Sequence, residues 1–248
     1  MKRSTHAIPI AVGAVVLIGL WELIGRTQFF GMTFPPLSEV FATLLSGQRQ
    51  RLFTTAIGAT ASSAALGLLI GGGCAILIAA TRQTLTPTRP GLDRFAAAIH
   101  AIPQIGIAPV LVIVLGRENA PVAVASIATF FPAYAAATLA FSAAAAAHQD
   151  LFTALGSNRM DRLLRLELPA ALPGLFDALR LAAPGAVLGA VLGEWFGAPR
   201  GIGLIILSSS QNFDIPVLWA SAVLATLMAM IGFGFFTMVQ RAAARRFA

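Results

Sequence analysis

The sequence predicts an all-α, polytopic membrane protein with about six transmembrane helices, and three observations predict it. Hydrophobic residues fill 57% of the 248 positions and charged residues only 11%, against about 25% charged in an ordinary soluble domain. Mean hydropathy is +0.82, too apolar for a surface that water must wet. The apolar residues also fall into runs of roughly 20 or more, the length an α-helix needs to cross the hydrocarbon core of a bilayer. Six crossings with short connections use up the chain, so residues 1–248 are expected to form a single transmembrane domain.

The first run covers 7–25. Lys2 and Arg3 precede it, as in a signal peptide, but the run is long enough to span. Arg26-Thr27-Gln28-Phe29-Phe30 follows with no small-residue cleavage site, so an uncleaved helix is expected. The second run covers 53–81, the third 92–116 and the fourth 121–147. Only Arg117-Glu118-Asn119-Ala120 separates the third from the fourth, which demands a tight turn. The fifth covers 174–194 and the sixth 215–240. The second and fourth exceed the minimum, which implies tilt or ends that reach water. Pro103 and Pro109 fall in the third run, Pro132 in the fourth and Pro184 in the fifth. Each removes a backbone donor and kinks its helix, either as a fixed bend or as a hinge.

Orientation follows from the basic residues. With the N-terminus in the cytoplasm, twelve of the 17 Lys and Arg lie inside: Lys2, Arg3, Arg82, Arg89, Arg94, Arg159, Arg162, Arg165, Arg180, Arg241, Arg245 and Arg246. Five lie outside: Arg26, Arg49, Arg51, Arg117 and Arg200. The positive-inside rule therefore places both termini in the cytoplasm. Scattered in this way between apolar runs, the net charge of +7 is a topology signal and not a nucleic-acid footprint. Small residues recur at helical spacing, with Gly67 four before Gly71, and Gly185, Gly189 and Gly193 in step. That spacing serves close helix packing, either inside one bundle or at a dimer face.

Enzyme chemistry finds no support. Lys2 is the only lysine, so no phosphate-binding loop ending in Lys-Ser/Thr exists here. His6, His100 and His148 lack metal-ligand spacing, and no Gly-x-Ser-x-Gly elbow appears. Cys74 stands alone inside an apolar run and reads as a small buried residue.

Charge concentrates instead in residues 148–169, His148-Gln-Asp-Leu-Phe-Thr-Ala-Leu-Gly156-Ser-Asn-Arg-Met-Asp-Arg-Leu-Leu-Arg-Leu-Glu-Leu168-Pro169. Asp150 suits a helix start, and Gly156 suits a helix stop. A second amphipathic piece is expected to run to Leu168 and to be closed by Pro169. Leu151, Phe152 and Leu155 supply apolar anchors of the kind that seat a helix in a partner's groove. An amphipathic loop lying on the membrane surface fits the same residues.

This segment resembles the EAA loop of binding-protein-dependent ABC importer permeases: Glu-Ala-Ala, three residues, Gly, nine residues, Ile, one residue, Leu-Pro. Here Gly156 is followed by nine residues and then by Leu166-Glu167-Leu168-Pro169, with Asp150-Leu151-Phe152 in the Glu-Ala-Ala position. Further stretches resemble the nitrate, sulfonate and taurine branch: Trp21-Glu22-Leu23, Phe34-Pro35-Pro36-Leu37-Ser38, Ala101 to Pro109, Leu168 to Gly174, and Gly193-Glu194-Trp195-Phe196-Gly197. The resemblance implies a type I importer permease fold in a bacterial inner membrane. It implies a homodimer of permeases, separate ATP-binding subunits and an external solute-binding protein. ATP and Mg would be held by the partner ATPase, with no cofactor in this chain. Residues 148–169 would form the cytoplasmic coupling loop, with Asp150, Leu151, Phe152, Leu155, Gly156, Leu168 and Pro169 as the ATPase-coupling residues.

For the solute pathway the candidates are ionisable or polar groups within the spans: Glu194 first, with Trp195, Gln104 and Tyr134, then Ser126, Thr129, Gln211 and Asn212. Trp195 either stacks on a flat solute or anchors at the membrane interface, and Gln104, Tyr134, Ser126, Thr129, Gln211 and Asn212 each alternatively serve as a helix-to-helix hydrogen bond. The branch implies a small anion, or in some relatives a pyrimidine or flavin-like ring; an acidic Glu194 suits a neutral or aromatic solute better. The rival class is a proton-coupled secondary transporter without an ATPase partner, using His100 or Glu194. The absence of an internal repeat argues against it.

Overall fold

Without water in the bilayer to satisfy backbone groups, the chain meets its hydrogen-bonding needs inside helices. The computed structural model describes residues 7–144 and 146–247. Lys2 and Arg3, on which part of the orientation argument rests, lie outside the described residues, as does His6. α1 (Ala7–Thr27) is a single apolar helix of 21 residues. α2 (Leu37–Leu45) is short, and α3 (Gln50–Thr84) runs for 35 residues, about 52 Å at helical rise, so its ends project beyond the hydrocarbon. After α4 (Arg89–His100) and α5 (Gln104–Leu115) come α6 (Ala120–Phe141), α7 (Ala146–Ala154) and α8 (Arg159–Arg162). A π-turn over Leu163–Glu167 leads into α9 (Leu168–Glu194), then α10 (Ile202–Gln211) and α11 (Ile215–Phe247).

Among the described residues, four helices are long and apolar enough to cross a membrane: α3, α6, the Arg159–Glu194 stretch and α11. The third expected span is not a straight helix. Its two halves, α4 with the turn before it and α5, meet at 88°. Pro103 lacks an N–H and disfavours helical backbone at the residue before it. It adopts φ −69°, ψ 109°, and the helix restarts at Gln104. α4 and α5 are 12 residues each, roughly 18 Å, too short to span alone.

Two further boundaries differ from expectation. The fourth span stops at Phe141 instead of continuing to 147. Pro169 does not close the helix before it. The Leu168 N–H donates to the Leu163 carbonyl across the π-turn, and the wider turn accommodates the proline ring, so one helical path runs from Arg159 to Glu194.

α6 is the hub, flanked by α3 and α9, and glycine makes this possible. A Cβ on Gly67 or Gly71 of α3 would overlap Ala125, or the Ser126 carbonyl and Thr129 hydroxyl, of α6. From the other side, a Cβ on Gly189 would lie 2.7 Å from Ala125 Cα and one on Gly193 2.6 Å from Pro121 Cα. Both glycine series are therefore spent inside the bundle, and the dimer-face alternative for them falls away. The interior they create is lined largely by alanine, including Ala125, Ala133, Ala137, Ala182, Ala186 and Ala190.

The motifs around Trp21 and Phe34 form a clasp between α1, α2 and α11. The Trp21 indole N–H donates to the Pro35 carbonyl at 3.2 Å, and that of Trp219 to the Thr33 carbonyl at 2.9 Å. Phe34 lies 5.4 Å from Trp21 and 5.1 Å from Trp219 by ring centroids. Glu22 accepts the Ser38 N–H at 3.0 Å and the Ser38 hydroxyl at 2.7 Å, which caps the start of α2.

Candidate functional site

The turn after α7 is built by hydrogen bonding. Gly156 takes φ +69°. Its N–H donates to the Thr153 carbonyl at 3.0 Å, and the Ser157 N–H reaches back to the Phe152 carbonyl at 3.1 Å. This pair of bonds is the Schellman arrangement. The Ser157 hydroxyl adds a 2.6 Å bond to the same carbonyl. Nothing lies within 4 Å of where a Gly156 Cβ would stand, so the left-handed backbone alone demands glycine, at about 1–2 kcal/mol for any other residue. One residue further on, Asn158 starts α8, its side-chain oxygen accepting the Asp161 N–H at 2.8 Å.

On α7, Leu151 and Leu155 are 54% and 74% exposed, and Phe152 is half-buried. Asp150 is exposed in mid-helix, not at the start, where the spacing predicted it. Ala146 and Ala147 carry the helix further back, alanine being the strongest helix former. Leu168 and Pro169 are half-buried at the head of α9. Beside them the Glu167 carboxylate is buried, 3.3 Å from Arg162.

At the opposite end of α3, Glu194 is completely buried. Thr60 Oγ1 donates to Glu194 Oε1 at 2.8 Å, and the Gly203 N–H donates to Oε2 at 2.8 Å. Thr60 Oγ1 in turn accepts the Ile202 N–H at 2.9 Å. One carboxyl group thus joins the end of α9 to α3 and caps the first turn of α10. Gly201, at φ +144°, leaves no room for a Cβ beside that carboxyl. Trp195 is half-buried, and its indole N–H has no partner among the described residues.

Next to this pin lies an open polar cavity of about 480 Å³. The α3 residues Thr54, Thr55, Ser62 and Ser63 line one side, and Arg117, Glu118 and Arg200 another. None of Glu194, Trp195, Gln104 and Tyr134 lines it.

The structure does not gather those four sequence candidates. Gln104 is half-buried at the head of α5. Tyr134 is 3% exposed, and its hydroxyl donates to Asp93 at 2.7 Å. Asp93 also accepts both Arg82 Nε at 2.7 Å and Nη2 at 3.1 Å. Sequence reasoning missed this α3–α4–α6 cluster because its members lie in three separate segments. It also missed Thr60, for which the later Gly201-x-Gly203 was the available cue. Thr129 and Ser126 are spent on backbone carbonyls, and Gln211 and Asn212 are exposed at the C-terminal end of α10. His100 is exposed and stacks on Phe131 at 4.3 Å.

A proline-bent bundle of apolar helices long enough to span, carrying an exposed helix-glycine-helix turn between two of them, defines a polytopic membrane protein. The chain belongs to the family described as binding-protein-dependent transport system inner membrane component, which it matches over residues 67–248. It is 28% identical over 235 residues to the formylaminopyrimidine transport permease protein ThiX of Halalkalibacterium halodurans, covering 94% of this chain and 93% of that one. It is 23% identical to the putative aliphatic sulfonates transport permease protein SsuC of Bacillus subtilis, covering 91% and 83%. Its fold matches a chain of the inward-facing MetNI methionine ABC transporter with a TM-score of 0.67 at 18% identity, over 80% of this chain and 99% of that one. The chain is a membrane-spanning permease subunit of an ABC importer, which sets aside the secondary-transporter alternative.

Proposed function

We propose that two copies of this chain form the channel of an importer driven by separate ATP-binding subunits, which hold the ATP and Mg. An external solute-binding protein delivers the solute, and both termini lie on the cytoplasmic side of a bacterial inner membrane. α7 is the coupling helix. The observation that carries this is the pair Leu151 and Leu155, exposed on a helix that the hydrogen-bonded Gly156 turn ends. Two exposed leucines at i, i+4 form one apolar stripe suited to an ATPase groove. Asp150, exposed beside them, offers a carboxylate to a basic group there.

In the test, the double variant Leu151→Asp, Leu155→Asp is purified in mild detergent with its native partners. Loss of the ATP-binding subunit, with the permease still monodisperse, is the expected result. Retention of that subunit at wild-type stoichiometry contradicts the assignment.

The solute path follows the hydroxyl-bearing face of α3. Thr54, Thr55 and Ser62 are exposed near one end of a helix whose other exposed side chains include Leu66, Leu69, Ile70 and Leu77. The Thr54 and Ser62 hydroxyls donate to carbonyls within α3, and with Thr55 they border the polar cavity, which suits a second copy and a water-filled path. With Glu194 sealed by Thr60 and Gly203, the argument from its charge against an anionic solute lapses. Arg117 and Arg200 outnumber Glu118 around the cavity, so a small polar solute with anionic character fits, in keeping with the aliphatic sulfonates named for one relative. Ser62→Cys, in a Cys74→Ala background, is expected to react with a membrane-impermeant maleimide at a rate that changes when ATP and vanadate trap the complex. An unreactive thiol at position 62 would remove α3 from the path.

A further inference from the structure

The coupling loop is tied to the bundle at a second place besides its own covalent ends. Arg159 follows the Asn158 cap, three residues beyond Gly156, so a stiff turn joins it to α7. Its Nη1 donates to the Thr84 carbonyl at 2.8 Å and to the Thr86 hydroxyl at 2.7 Å. Thr84 is the last residue of α3, and its carbonyl is one of those a helix leaves without an internal partner. The two carbonyls before it are served by another arginine. Arg89 Nε donates to the Arg82 carbonyl at 3.2 Å and Arg89 Nη2 to the Gln83 carbonyl at 3.5 Å. Three consecutive carbonyls at the C-terminal end of α3 are thus held by two guanidinium groups, the charge that the helix dipole favours there.

That end of α3 is also fastened sideways. Arg82 makes its two-point bond to Asp93 of α4, and Asp93 accepts the Tyr134 hydroxyl of α6. A displacement of the turn after α7 therefore reaches α3 through Arg159 and passes to α4 and α6 through the Arg82–Asp93–Tyr134 cluster. At its far end α3 is pinned to α9 and α10 by Thr60 and Glu194. Among the described residues, α3 is the one helix bonded by side chains both to the coupling loop and to the α9–α10 junction beside the polar cavity.

We propose that Arg159 is a positioning residue for coupling: a strut that transmits movement of the coupling loop to α3, and so opens and closes the hydroxyl-lined face at its other end. The proposal rests on α7 being the coupling helix. It concerns transmission, not ATPase docking, since Arg159 lies outside the apolar stripe formed by Leu151 and Leu155.

The test uses the assembled importer in proteoliposomes, carrying Ser62→Cys and Cys74→Ala, with a membrane-impermeant maleimide as the probe. It requires no knowledge of the solute. In the parent, vanadate trapping with ATP changes the labelling rate of the thiol at position 62. Adding Arg159→Ala is expected to shrink that change about fivefold or more, the scale of an ordinary coupling energy. ATPase stoichiometry and vanadate trapping stay at parental levels. Thr86→Val removes one of the two bonds without touching α8 and is expected to give a partial loss, with no further loss when combined with Arg159→Ala. Full retention of the labelling change in Arg159→Ala overturns the proposal. So does loss of the ATP-binding subunit, which would make Arg159 a docking residue. A parent whose labelling ignores ATP and vanadate defeats the coupling reading itself, a failure distinguishable from that of the strut.

Discussion

Glu194→Ala is expected to lower the detergent melting temperature and to abolish transport together, whereas Glu194→Gln preserves both. The alanine variant strips the Gly203 N–H of its acceptor and Thr60 of its main partner, in a site with no exposure to solvent. A buried donor left unsatisfied costs about 1–3 kcal/mol, and the emptied side-chain volume adds a cavity term. With two donors affected, roughly 3 kcal/mol or more is lost, a large share of the margin by which a folded domain outlasts its unfolded chain. Glutamine keeps one oxygen for the Gly203 N–H, and its amide faces the Thr60 hydroxyl, which both accepts and donates. Melting curves and uptake assays on the two variants separate a brace from a solute ligand. Were Glu194 a solute ligand by virtue of its charge, glutamine would abolish uptake and leave the melting temperature untouched.

The contrast at Glu194 illustrates what the sequence discloses and what it withholds. Its position within an apolar run marks it as a group requiring a partner, because a lone carboxyl is costly there. Which partner it finds depends on α3 lying beside α9, a long-range contact that no local pattern encodes. The same division runs through the fold. Apolar runs locate both ends of α3 and the starts of α6 and α11 to within a few residues, because hydrophobicity and span length are local quantities. Pro103 reads as a kink within one span, but the break is 88° and leaves two short helices that each contact α6. Pro169 reads as a helix stop; a π-turn over Leu163–Glu167 absorbs it instead. Gly156 is legible because its cause, a left-handed turn, is local. Arg159, Asp93 and Thr60 are not legible, since each acts on residues remote in sequence.

Three consecutive glycines of α3 should respond to alanine in three different ways. At Gly71 the new methyl would overlap the Ser126 carbonyl and the Thr129 hydroxyl of α6. Backbone on the hub helix cannot rotate aside as a side chain does, so α3 must move away from α6. Overpacking against adaptable side chains costs about 1–3 kcal/mol, and here the cost is greater. Gly71→Ala is expected to yield little monodisperse protein. At Gly72 the nearest foreign atom is Leu179 Cδ2, at 3.0 Å. That is the tip of a flexible side chain, so Gly72→Ala requires only a rotamer adjustment and lowers the melting temperature by a few degrees. At Gly73 nothing lies within 4 Å. There alanine adds only its helix propensity, about 1 kcal/mol better than glycine, so Gly73→Ala should match or exceed the parent. Size-exclusion profiles and melting temperatures of the three variants measure this series. A flat response would mean that α3 does not approach α6 so closely, and an inverted one would turn the helix face. The predicted order tests the α3–α6 seam at single-residue resolution, and on that seam depends any movement of α3 that reaches the rest of the bundle.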